Sequence, residues 1–149
     1  MASLQNVAKQ WIDSYNKKDL ERLMALYAGN CRNAQPHLPQ PLKGRAATEK
    51  EFGAFFRAFP DGKMKISKLV VKGDMAAMEW SFTGTHGGSI VGPGGTIPPT
   101  NKKVVLKGAE FTRHNAKGQI VEERGYFDIA GFMAQLGVGA PAGSGQPQG

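Results

Sequence analysis

Apolar positions set the first elements. Leu4, Val7, Ala8, Trp11, Ile12 and Tyr15 recur at helical spacing, with Gln5, Lys9, Gln10 and Asp13 opposite. They predict a first helix of about four turns. Asn16-Lys17-Lys18-Asp19 breaks it, and Asp19 is typed to cap a second helix carrying Leu20, Leu23, Met24 and Tyr27. From Gly29 to Lys43 the chain is polar and carries Pro36, Pro39 and Pro41, so it can hold at most short extended pieces. A third helix starts at about Ala46, carries Phe52, Phe55, Phe56 and Phe59, and stops at Pro60. That aromatic stripe reads as core packing.

From Lys63 the period becomes two. Met64 to Val71 is a strand, Gly73-Asp74 its turn, and Ala76 to Thr85 its partner. His86 to Thr96 is rich in glycine and reads as a long loop or lid. Lys102 to Arg113 forms a third long strand, and Gln119 to Phe127 a fourth. A short helix then carries Ile129, Phe132, Met133 and Leu136. Residues 138–149 (VGAPAGSGQPQG) have no charge and are expected to be a disordered tail on a single domain, 1–137. Helices followed by antiparallel strands predict an α+β domain.

Strand parity then selects candidate chemistry. Between Lys102 and Arg113, Lys103, Lys107 and Arg113 share one parity, and Val104, Leu106, Gly108, Glu110 and Thr112 share the other. Charge prefers water, so the second set, with Glu110, should face the helices. Buried there, Glu110 must be paired or have a raised pKa; otherwise it is a partly exposed strand residue paired with Lys or Arg. In the last strand both parities carry charge. If Ile120, Glu122, Arg124, Tyr126 and Asp128 turn inward, Glu110, Arg124 and Asp128 converge on one pocket. If Val121, Gly125 and Phe127 do, Arg124 is a solvated surface residue. Asp128 stands where strand gives way to helix, typed both as an N-cap and as a carboxylate looking into a cavity. Trp80 can wall a cavity or pack in the core. His114 sits in a turn and is expected to be solvated.

Composition narrows the classes. Lys and Arg outnumber Asp and Glu by 19 to 12, but the basic residues are scattered in pairs at most, which argues against nucleic acid as a partner. One cysteine, Cys31, allows neither an intrachain disulfide nor a cysteine-based zinc site, and fits a reducing compartment. There is no signal-peptide pattern and no run of roughly 20 apolar residues. The expectation is a soluble cytoplasmic protein without membrane contact. No His, Asp and Glu set has metal-ligand spacing, and neither a Gly-x-Ser-x-Gly string nor a phosphate-binding Gly-Lys-Ser/Thr loop occurs.

Several strings lie in order along most of the chain: Trp11 and Tyr15, Lys18-Asp19-Leu20, Tyr27-Ala28, Phe59-Pro60-Asp61 and Glu79-Trp80. Gly84-Thr85-His86, Ile97-Pro98-Pro99-Thr100, Gly118 to Glu123, Phe127-Asp128 and Gln135-Leu136-Gly137 follow. Together they resemble the SnoaL-like polyketide cyclases, or ester cyclase-like proteins, of the nuclear-transport-factor-2-like superfamily. The resemblance implies a cone-shaped α+β barrel, a curved, mostly antiparallel sheet around helices with a deep apolar pocket, and a homodimer formed through the sheet. It further implies a cofactor-free lyase or isomerase acting on a small apolar or polyketide-like substrate. Asp128 would remove a proton beside a carbonyl so that a carbanion closes a ring. Glu110 or Arg124 would modulate it, and Tyr15, Trp80 and Phe56 would wall the pocket. Tyr15, Gln35, His37, Tyr126 or Arg124 would stabilise the enolate, and His86 would sit at the pocket mouth. Arg124 stands where relatives commonly carry Trp, and a pocket Arg would pair with Asp128 or hold an acidic substrate. Other readings of the pocket are a binding or dimerisation module, an epoxide hydrolase or a dehydratase.

Overall fold

A computed structural model describes residues 3–92 and 94–138. The first apolar stripe becomes α1 (Leu4–Asn16), with Ser3 as N-cap accepting from the Asn6 amide. Asp19 caps α2 (Leu20–Met24) as its side chain predicts. Next come β1 (Tyr27–Ala34), β2 (Leu42–Lys43) and the aromatic helix α3 (Arg45–Ala58). The long strands are β3 (Lys63–Lys72) and β4 (Met75–Thr85). A small hairpin, β5 (Ile90–Gly92) and β6 (Gly95–Ile97), precedes β7 (Lys103–His114), β8 (Ile120–Phe127) and α4 (Ile129–Gln135).

Two of these differ from the pattern reading. Tyr27 opens a strand instead of closing a helix, because β1 pairs in parallel with β8 and that pairing draws Tyr27, Cys31 and Asn33 into the interior. The segment read as loop from His86 to Thr96 contains the β5–β6 hairpin, whose backbone groups pair with each other, away from the main sheet. The expected tail lies outside the described residues, which end at Val138.

The main sheet runs β2-β1-β8-β7-β4-β3 and is antiparallel except at β1–β8. Register irregularities within β1, β3 and β7 bend it. It is curved but open, with β2 and β3 as edges, so it does not close into the expected barrel. The helices pack on its inner face, where Tyr15, Leu23, Tyr27, Phe59, Phe82 and Val104 are among the buried core. No helix among the described residues is long and apolar enough to cross a membrane.

Candidate active site

Alternation along β7 turns Val104, Leu106, Thr112 and His114 inward together with Glu110, as parity requires. On β8 the inward set is Glu123, Gly125 and Phe127. The ladder decides this: Glu110 pairs with Gly125 and Thr112 with Glu123, whereas Phe111 pairs with Arg124 and Ala109 with Tyr126 on the outer side. Gly125 is where Glu110 finds room. A Cβ added there would overlap Gln35 Oε1 and Glu110 Oε1. Gly108 does the same for the Trp80 ring, which lies over β7.

Between sheet and helices is a cavity of about 830 Å³. Trp11, Tyr15, Phe52, Trp80, Leu106 and Phe127 are among its apolar walls, and the β5–β6 hairpin lies along it. A polar strip crosses this lining. Gln35 Nε2 donates to Asn33 Oδ1 (2.9 Å) and to Glu110 Oε2 (3.2 Å). Trp11 Nε1 donates to the Tyr27 hydroxyl (2.9 Å), which in turn donates to Glu123 Oε1. Glu123 is 2% exposed and within hydrogen-bonding reach of Glu110.

Burial first, then the Glu123 charge and hydrogen bond, push the Glu110 pKa well above the ordinary carboxylate value, while Gln35 acts the other way. Tyr27 and Tyr15 are also raised by burial, Tyr15 next by the charge of Glu110, so both phenols keep their protons. Glu110 Oε1 is buried with no hydrogen-bond partner. Such an oxygen is costly unless something else occupies the space beside it.

Of the residues singled out from sequence, the cavity brings together Glu110, Tyr15, Gln35, His37 and Trp80. His37 stands at its exposed rim, 2.6 Å from Glu51. Five others lie elsewhere. Asp128 is exposed and caps α4, its Oδ1 accepting from the Gly131 amide (2.9 Å). Arg124 and Tyr126 lie on the outer face of the sheet because their ladder partners Phe111 and Ala109 do. Phe56 packs edge-on against Tyr15 with Lys18 over its ring. His86 is buried against Phe59 and is joined to Thr100 through Nδ1 (3.0 Å); burial lowers its pKa.

His114, expected to be solvated, is 6% exposed and bonds Gly118 O and Thr112 Oγ1. Glu123, Tyr27, Trp11 and Asn33 were not recognised as site residues. For Glu123 the available signal was its parity with Gly125 and Phe127. Among the described residues, no group of three or more His, Cys, Asp or Glu is placed to hold a metal ion.

A family model for SnoaL-like polyketide cyclase matches residues 5–136. No curated protein matches the chain. Among solved structures, IdmH from Streptomyces antibioticus, a candidate polyketide cyclase, is 24% identical, with a TM-score of 0.75 over 92% of this chain and 100% of its own. AclR from Streptomyces galilaeus, a candidate hydroxylase, is 19% identical, with a TM-score of 0.76 over 90% and 95% of the two chains. A Catenulispora acidiphila protein with a ketosteroid isomerase-like fold is 16% identical, with a TM-score of 0.73 over 95% and 97%. These likenesses establish the fold alone.

Proposed function

The chain belongs to the SnoaL-like polyketide cyclase family, and we propose that it is an acid/base enzyme whose working carboxyl is Glu110. The substrate is a small, largely apolar polyketide-like molecule with an acidic C–H beside a carbonyl group. The supporting observation is the buried, unpartnered Oε1 of Glu110 in an apolar cavity. A cavity of this size suits a ligand of drug-like dimensions.

In its ionised form Glu110 takes the proton through Oε1. The C–H pair moves toward the carbonyl oxygen, and the Tyr15 hydroxyl donates to the developing enolate. Attack of that enolate carbon on a second carbonyl closes the ring, and the proton on Glu110 passes to the new alkoxide. A proton flanked by two carbonyls is acidic enough for a carboxylate, so this step calls on no cofactor. The raised pKa of Glu110 makes it a stronger base than an exposed carboxylate. Burial does most to raise that pKa, and Glu123, fixed by Tyr27 and Trp11, adds to it by charge and hydrogen bond.

The test is wash-in of solvent deuterium at the acidic carbon of a β-keto ester panel, followed by NMR. The wild type should catalyse exchange and Glu110→Gln should not. If Glu110→Gln exchanges as fast as the wild type, or Asp128→Asn is the variant that fails, the assignment is wrong.

A further inference from the structure

One end of the cavity lies toward the β7–β8 turn, at the far end of the strands from the β5–β6 hairpin. Ala76, Thr112, His114, Ile120 and Glu123 line it there. The ladder sets them side by side, pairing Ala76 with Thr112, Thr112 with Glu123 and His114 with Ile120. Thr112 and His114 are both buried, and the acid/base step proposed above uses neither.

Their hydrogen bonds fix where each proton sits. His114 Nδ1 lies 2.9 Å from the Gly118 carbonyl oxygen, which can only accept, so Nδ1 carries the hydrogen. In the neutral ring Nε2 is then a bare acceptor. It lies 2.9 Å from Thr112 Oγ1, so the threonine hydroxyl donates to it. What Thr112 has left to offer is lone pairs. Gln35 is in the same position, because its Nε2 is committed to Asn33 Oδ1 and Glu110 Oε2 and only its Oε1 is left. Glu110 Oε1 is a third acceptor on this wall. The Tyr27 hydroxyl adds no donor, since its proton goes to Glu123.

We infer that Thr112, oriented by His114, is a specificity-determining acceptor that recognises a hydroxyl group on the substrate. This names the substrate class more closely and rests on the acid/base reading of the cavity given above. Thr112 stands two residues beyond Glu110 on the same face of β7, roughly 7 Å along the strand. A substrate whose acidic carbon meets Glu110 therefore places a phenol or alcohol about one ring's width away. A methyl ether or a carbonyl at that position would set its lone pairs against those of Thr112 and leave both buried acceptors unpaired.

The probes are the ethyl ester of para-hydroxybenzoylacetic acid, a β-keto ester with a phenol across the ring from its acidic side chain, and the methyl ether of that phenol. Quenching of Trp11 and Trp80, which line the cavity, reports binding. Solvent deuterium exchange reports chemistry. The wild type should bind the phenol more tightly than the ether, roughly tenfold or more. Thr112→Val should remove that preference by weakening the phenol alone, and Thr112→Ser should retain it. Glu110→Gln should keep the preference while losing exchange, which separates recognition from chemistry.

The wild-type comparison needs no variant. Equal binding of phenol and ether overturns the assignment, and so does binding of neither. A Thr112→Val chain that binds both more weakly by the same factor also overturns it, since the threonine would then only brace the β7–β8 turn. Absence of exchange in a wild type that still prefers the phenol counts against Glu110 as the base and supports Thr112 as the recognition point.

Discussion

Replacing Glu110 by glutamine separates what this carboxyl does for chemistry from what it does to the fold. Its Oε1 is buried without a partner, and burial followed by the Glu123 charge raises its pKa. A carboxyl with a folded-state pKa above its unfolded value holds its proton more tightly in the folded protein. The stability it contributes is complete below the unfolded pKa and is lost as pH rises through the folded one. Above that window the fold carries a poorly compensated buried charge. Glutamine has the same shape, is neutral at every pH, can still accept from Gln35 and can donate to Glu123.

Near about pH 4 the variant should therefore melt with the wild type. Near about pH 8 it should be more stable by about 1–3 kcal/mol, the usual cost of an unsatisfied buried polar group. For a domain of this size that is roughly 3–8 °C in Tm. Circular dichroism melts of both proteins at the two pH values measure it, alongside the loss of deuterium exchange. A variant destabilised equally at both pH values would refute the reasoning, because Glu110 would then be an ordinary satisfied partner in the core.

Three further outcomes follow from the same geometry. Asp128→Ala should remove the cap of α4 and cost about 1 kcal/mol in urea unfolding while leaving exchange activity intact. Gly125→Ala should lower stability by about 1–3 kcal/mol through overlap with Glu110 and Gln35, and slow exchange more than the same change at exposed Gly94. The pH profile of kcat/KM should rise through an apparent pKa above the ordinary carboxylate range. In Glu123→Gln that pKa should move down, because one of its two raising causes besides burial, the Glu123 charge, is gone; an unmoved profile would separate the two groups.

Much of the architecture was local information. The stripes of α1 and α3, the caps Asp19 and Asp128, and the alternation of β3, β4 and β7 depend on near neighbours and can be read from spacing. In β7 all the charge but Glu110 lies on one parity, so solvation alone determined which side Glu110 faces. β8 had no such asymmetry, with Glu122 and Arg124 on one side and Glu123 on the other. Only its ladder with β7 decided that Glu123 enters the cavity while Arg124, Tyr126 and Asp128 stay outside. Tyr27 followed a helical period in sequence until the parallel pairing of β1 with β8, about ninety residues away, made it a strand residue bonded to Glu123. Composition and periodicity are properties of the chain. A raised carboxyl pKa and a cavity each need groups brought together from distant segments, and tertiary pairing alone does that.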